Sequence, residues 1–243
     1  MKLSESTWYE VEAYLRTSRG IILPVGSTEQ HGPIGLIGTD AICAEQIAWG
    51  VKGALVAPTL AYTPAPFNTG FPGTISLSGD LFQAMAKEIL TGLQAQGFKR
   101  IYILNGHGAN LEPLRAAIAT LPKGSVHLRS WWDFEAVNGL RREFYGDWEG
   151  MHATPSEVAI TQATHRTVLH PAADHPPRKL SAEFIKAHAG DKHGPAQEHR
   201  KDFPDGRVGS HSALATPAHG QALLGAAIKA VSMDYHEFAS SWS

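Results

Sequence analysis

A single cysteine, Cys43, leaves the 243-residue chain without any possible intramolecular disulfide. Its place in the apolar run AICAEQIAWG reads as a small buried helical residue rather than a nucleophile. This usage fits a reducing compartment, and a cytoplasmic location is the expectation. An excess of either charge is also missing, since 21 basic against 23 acidic residues give a formal net charge of -2. Such a balance offers no basic surface to a nucleic-acid backbone or an anionic membrane, so neither is expected as a partner. Long apolar runs are absent as well. Nowhere do about 18 apolar residues follow one another, as a spanning helix requires. The opening MKLSESTWYEVEAYL carries polar and acidic residues where an export signal needs an apolar stretch, so the protein is expected to be soluble and unexported.

What is present is enough apolar material, 43% of residues, to bury a core without disulfides, and a length suited to one domain over residues 1–243. The order of patterns alternates strand with helix. Residues 6–18 read as a capped amphipathic helix and RGIILPVG as a buried strand, followed by the turn GSTEQHG and a helix from AICAEQIAWGVKG. ALVAPTLAY reads as the next strand, before the Pro- and Gly-rich loop TPAPFNTGFPG, a kind of loop that often borders active sites. The segment GTISLSGDLFQAMAKEILTGLQAQG predicts a strand and a long helix, and KRIYILNGHG a strand with a second glycine turn. Residues 110–121 read as helix, SVHLRSWWDF as a strand ending in aromatics, and Pro155 opens a helix with Glu157 in its first turn. A polar stretch over about 188–209 reads as loop, and a last helix starts at Thr216. This alternation predicts an α/β fold with a mostly parallel sheet covered by helices and a ligand site at the carboxyl ends of the strands.

Thirteen histidines gather near the glycine turns, and histidine is the commonest metal ligand. Glu29 and His31 stand two residues apart after a strand, so in an extended segment their side chains share one side. Asp40 follows at a helix start, and His107 lies in NGHGAN after a different strand, with a glycine on each flank. Carboxylates and imidazoles in this set suit Zn²⁺, Mn²⁺ or Fe²⁺, and a shared carboxylate can bridge two ions. Other roles fit each residue taken alone: His107 as a turn or capping residue, Asp40 as a helix cap, and the glycine turns as a phosphate cradle.

ILPVGSTEQHGPIGLIGTD resembles the opening signature of the creatininase family, YILNGHGAN resembles its second, and MHATPSEV and GSHSALATPAHG extend the similarity over most of the chain. The resemblance implies a three-layer α/β/α sandwich, commonly a homohexamer, that hydrolyses amide or related C–N bonds in small, often cyclic, molecules. By position it implies that Glu29, His31, Asp40 and His107 are metal ligands, with Asp40 the bridge between two divalent ions of zinc, manganese or iron. It further places His152 near the scissile bond and Trp148 in the substrate pocket. In creatinine hydrolases a glutamate follows the second-signature histidine by two residues, where this chain has Ala109. Many members share a later glutamate that Glu157 matches, and Glu157 is assigned as the closing ligand. Its alternative role is that of a first-turn carboxylate favoured by the helix dipole.

Met151 stands where creatinine hydrolases have a glutamate, and a thioether transfers no protons, which argues against creatinine itself. Ile34 replaces a usual histidine and makes the pocket mouth more apolar. Trp131 and Trp132 either line that pocket or pack in the core. His152 is the expected proton donor to the leaving nitrogen, with capping of the following helix as its other reading. The expected activity is amide or formamide hydrolysis by a metal-activated water. A hydrolase of oxidised, inositol-type carbonyl rings, a metal-containing binder without turnover and a nucleotide-binding protein are the rivals.

Overall fold

A computed structural model describes residues 1–190 and 192–240. The last three residues of the expected 1–243 domain, and Asp191 within the expected polar loop, lie outside the described residues. The elements run α1 (Trp8–Leu15), β1 (Gly20–Val25), α2 (Thr39–Gly50), α3 (Gly79–Ala95), β2 (Arg100–Asn105), α4 (Leu111–Ile118), β3 (Val126–Ser130), α5 (Glu135–Tyr145), α6 (Pro155–Thr164), α7 (Ala182–Ala187), α8 (Ala196–Asp202) and α9 (Pro217–Ser240). α1 starts at a reciprocal cap, in which the Thr7 hydroxyl accepts from the Glu10 N–H and the Glu10 carboxylate accepts from the Thr7 N–H. It is shorter than the 6–18 expected, because the chain leaves the helix after Leu15 to enter β1.

The three strands are parallel in the order β1-β2-β3, with Ile22 opposite Tyr102 and Ile103 opposite Leu128. Every residue of β1 and β2 is buried, which is why both read as unbroken apolar runs rather than alternating ones. The pleat still sorts them. Ile21, Leu23, Ile101 and Ile103 pack with Phe82, Leu90 and Leu114 of α3 and α4, whereas Ile22, Tyr102 and Leu104 pack with Ile47, Val158, Leu223 and Val231 of α2, α6 and α9. Two helical layers thus cover the two faces of the sheet, and the three-layer α/β/α sandwich is observed. Each fully buried Ile or Leu stabilises this arrangement by roughly 1.5–3 kcal/mol.

Three further sequence expectations need correcting. ALVAPTLAY extends the sheet beyond β1 through parallel bridges of Ile22 to Val56 and Val25 to Leu60, but it forms no continuous strand. Pro58, which has no N–H to donate, interrupts it between those bridges. The polar stretch expected to be loop contains α8, whose residue His199 is buried and whose neighbour Phe203 turns inward. Seven residues with one buried position give too weak a periodicity to be seen in sequence. Similarly, the expected strand before α3 contributes only isolated bridges at Ile75 and Ser76.

Candidate active site

Because the strands are parallel, their carboxyl ends coincide, and the turns after Val25, Asn105 and Ser130 meet at one end of the sheet. Two glycines let the start of α2 enter this space. A Cβ on Gly26 would lie 2.2 Å from the Ala41 nitrogen, and one on Gly106 would lie 2.3 Å from the Asp40 carbonyl oxygen. Gly106 therefore serves the approach of the α2 backbone, and His107 follows it into the same space.

Asp40, the second residue of α2, does not cap its helix. One oxygen, Oδ1, lies 3.0 Å from His31 Nε2, while Oδ2 lies 3.0 Å from His107 Nδ1 and accepts a 2.7 Å hydrogen bond from Ser27 Oγ. Glu29 Oε1 is 3.1 Å from His107 Nδ1, and Oε2 accepts from Asn68 Nδ2 at 2.8 Å. Glu29 Oε1 is buried without an aligned hydrogen bond. His31 Nδ1 donates to the Glu29 carbonyl (3.1 Å) and His107 Nε2 donates to the Pro64 carbonyl (2.7 Å). A carbonyl oxygen can only accept, so these bonds fix the tautomers and turn the opposite nitrogen of each ring toward the carboxylates. Glu157 Oε1 accepts the Thr154 N–H at 2.6 Å and lies 3.8 Å from His31 Nε2. It thus caps the first turn of α6, the alternative role read from the sequence, while standing beside the His31–Asp40 pair.

Donor atoms of Glu29, Asp40 and His107 lie within 4.8 Å of one another, as do those of His31, Asp40 and Glu157 and those of Glu29, His31 and His152. All are buried. Burial alone would raise the acids and lower the imidazoles, but mutual attraction overrides it at most positions. Asp40 is held well below the usual carboxylate range by His31 and His107, and Glu29 is lowered by His107 and His152. Against burial, Asp40 and the other acids carry His31 up to about 10 and His107 well above its ordinary value. Burial, aided by Asp40 and opposed by His31, leaves Glu157 raised to about 8. The two imidazolium rings balance Glu29 and Asp40, and ionising Glu157 as well, which at about 8 keeps its proton at pH 7, demands further positive charge. Divalent cations meet that demand, and their binding would displace the imidazole protons. This donor set, with a Glu29 oxygen that faces His107 at 3.1 Å without an aligned hydrogen bond, fits a metal centre.

His152 is likewise buried and caps nothing. Its Nε2 donates to the Gln30 carbonyl at 2.8 Å, which leaves Nδ1 unprotonated, 3.7 Å from Glu29 Oε1. Burial pushes it down to about 4, so the ring is neutral at pH 7. Asp40, His107, His152 and Glu157 line one cavity of about 190 Å³ together with Met151, Trp131, Trp132 and Arg141. Trp148 is not among the lining residues; it sits edge-on to His211 with the Lys179 ammonium 4.6 Å from its ring centre. The aromatic wall comes instead from Trp131 and Trp132, in contact at 5.5 Å. Ile34 joins the hydrophobic core and lines a different cavity, so the mouth expected to be apolar at that residue is elsewhere. Cys43 is buried on α2, as read, with its thiol raised well above the ordinary value by burial.

Sequence reasoning passed over Ser27, Gln30, Asn68 and Arg141. Asn68 bridges Glu29 Oε2 and the Gln30 side chain, and lies in the Pro- and Gly-rich loop flagged as an active-site border. That flag was the available signal for it. The remaining three sit among ordinary polar residues and carry no spacing that marks them.

A family model described as creatininase, creatinine amidohydrolase, matches residues 4–233. A mycofactocin precursor peptide peptidase of Mycolicibacterium smegmatis is 39% identical over 111 residues, covering 42% of this chain and 44% of that protein. The creatinine amidohydrolase of Pseudomonas putida is 29% identical over 206 residues, covering 72% and 78%. A 3-dehydro-scyllo-inosose hydrolase of Thermotoga maritima is 35% identical over 107 residues, covering 42% and 34%. The matched stretch therefore spans under half of the length of the peptidase and of the inosose hydrolase. Among solved structures, a creatinine amidohydrolase superposes with a TM-score of 0.74 at 23% identity over 98% of both chains. A manganese creatininase gives 0.71 at 23% over 98% of both, and a mutant creatininase of Zn-Zn type gives 0.70 at 25% over 98% of both.

Proposed function

The chain belongs to the creatininase family, and on that membership and its buried cluster we propose a metal-dependent hydrolase that cleaves an amide or formamide C–N bond of a small, cyclic molecule. One observation carries this reading. The two oxygens of Asp40 face different imidazoles, so a single carboxylate belongs to two donor triplets, Glu29–Asp40–His107 and His31–Asp40–Glu157. These triplets would each hold one divalent ion of zinc, manganese or iron. Such ions lower the pKa of water toward neutrality and polarise a carbonyl oxygen.

The chain's own residues do the rest. Neutral His152 presents Nδ1 toward the cluster, takes a proton from the attacking water there and returns it to the leaving nitrogen as the C–N bond breaks. This order of events differs from a histidine that waits as an acid, and it follows from the lowered pKa. The Gln30 carbonyl holds the opposite ring nitrogen and so keeps Nδ1 aimed at the cluster. Trp131 and Trp132 form the apolar wall for the substrate ring, and Met151 beside His152 supplies no proton. A second reading, hydrolysis of an oxidised cyclic polyol, rests on the 35% identity to the inosose hydrolase. Peptide amides belong in the same panel, because another relative is a peptide peptidase.

Chelation tests the reading as a whole. Removal of metal is expected to abolish turnover on a panel of cyclic amides, formamides and short peptides, and re-addition to restore it. A ligand at a thousandfold excess over its Kd stabilises by about 4 kcal/mol, and a chain of this size shifts by ~2–4 °C per kcal/mol, so Tm should fall by roughly 10 °C. Unchanged Tm and undiminished turnover after dialysis against chelator would sink the metal mechanism. The second ion is tested by Glu157→Gln. The amide oxygen can still accept the Thr154 N–H, so the α6 cap survives while the anionic ligand is lost. Bound metal is expected to fall by about half with little change in the Tm of the metal-free protein; wild-type metal content would leave Glu157 as a cap alone.

A further inference from the structure

We propose that Arg141 is the anchor for an anionic group on the substrate, so that this enzyme acts on amides bearing a carboxylate. The inference rests on the hydrolase reading for its chemistry but on separate residues for its geometry. Arg141 lines the cavity that Asp40, His107 and Glu157 reach from the metal side. Its guanidinium is held in place at two points: Nε donates to Glu149 Oε1 at 2.8 Å, and Nη1 donates to Asn138 Oδ1 at 2.7 Å. Nη2 has no partner among the described residues.

A planar guanidinium fixed at two corners has already lost its rotamer freedom, and its remaining N–H groups form the geometry that carboxylates accept. Glu149 Oε1 pairs with Nε and also accepts from the Ser156 hydroxyl, so Glu149 engages the guanidinium at Nε alone. The Trp131 ring, 5.8 Å from the guanidinium carbon, backs the site with apolar surface. At about 190 Å³ the cavity is smaller than the roughly 300–1,000 Å³ typical of drug-sized ligands. A substrate that spans it therefore places its amide at the cation cluster and its carboxylate at Arg141 within one small molecule.

Calorimetric titration of the metal-loaded protein with N-acetylglycine and its carboxamide, N-acetylglycinamide, reads the preference without needing turnover. The wild type is expected to bind the carboxylate about tenfold more tightly, a difference of ~1.4 kcal/mol. Arg141→Gln should erase that difference with unchanged metal content and circular dichroism, and Arg141→Lys should keep part of it. Equal affinities in the wild type, or no binding of either compound, overturn the proposal. So does a preference that survives in Arg141→Gln, which would put the carboxylate on the metal cluster. If Arg141→Gln does not fold, the wild-type pair and Arg141→Lys still decide. A purely structural brace would weaken both ligands equally. Turnover is scored separately on N-formylglycine and N-formylglycinamide. A binding preference without hydrolysis of any amide overturns the hydrolase reading and leaves the anchor; hydrolysis without a preference does the reverse.

Discussion

Asp40→Ala is expected to strip the protein of divalent metal, from about two equivalents per chain to a small residue, and to abolish turnover. The size of the effect follows from where the carboxylate sits. Its oxygens lie 3.0 Å from His31 Nε2 and 3.0 Å from His107 Nδ1, and no other acid in the cluster belongs to both Glu29–Asp40–His107 and His31–Asp40–Glu157. Loss of one shared ligand therefore opens both triplets together. Charge stabilisation by bound cations is worth several kcal/mol in hydrolytic reactions, and at 1.36 kcal/mol per factor of ten the rate should fall by about 10³-fold or more.

The same substitution leaves His31 and His107 buried without their central counter-charge, which costs on the order of 3–5 kcal/mol in the metal-free protein. Asp40→Asn preserves volume and the contact with Ser27, and it separates the two effects: it should still lose metal but retain more of the fold. Elemental analysis of the purified variants beside wild type is the measurement. If Asp40→Asn holds its full complement of metal, the bridge is wrong, and the cluster is an ion-pair network among imidazolium rings and acids instead.

His152→Ala is expected to keep the metal of the wild type and to lose roughly 10²- to 10⁴-fold in kcat, the range associated with a positioned acid or base. Nδ1 faces Glu29 Oε1 at 3.7 Å, so the ring is close to the ligands without holding either Asp40 oxygen. Loss of metal in His152→Ala would instead make this histidine a ligand within the Glu29–His31–His152 group. The wild-type pH profile offers a second reading of the same residue. Burial lowers its pKa from 6.5 to about 4, and a nearby cation pushes it the same way. A group whose pKa is depressed on folding contributes stability that is present above 6.5 and lost as the pH falls through about 4. Activity that depends on the neutral ring should therefore hold between pH 7 and 6. A decline centred near 6.5 that disappears in His152→Ala would mean that the ring titrates as though exposed.

The cluster was readable to the degree that its members lie close in sequence. Glu29 and His31 alternate after β1, and Asp40 opens the next helix. His107 ends the parallel neighbour of β1, so strand topology alone carries these four to the same edge. Glu157 emerged only through likeness to a family pattern, because a glutamate at the third position of a helix looks the same whether it caps or binds. Trp148 was placed in the pocket on the same grounds, yet it packs against His211 outside the lining, while Trp131 and Trp132 take the wall. Two aromatic patches after different elements are equivalent until the connections between β3 and α6 are packed. Asn68 was marked only by its Pro- and Gly-rich loop and Arg141 not at all, for a further reason: each reaches the site from a separate segment, and a polar side chain gains its meaning there from partners as distant in sequence as Glu29 is from Asn68.

By itself, then, the sequence determined the alternating α/β order, the buried parallel strands and the placing of four candidate ligands at their carboxyl ends, because strand periodicity and glycine turns act over a few residues. Only the tertiary structure decided that both Asp40 oxygens are shared, that Glu157 stands beside the His31–Asp40 pair, that His152 is neutral and that Arg141 faces the same cavity. Those outcomes depend on burial and on distances between charges from separate segments, and neither exists until the layers are packed.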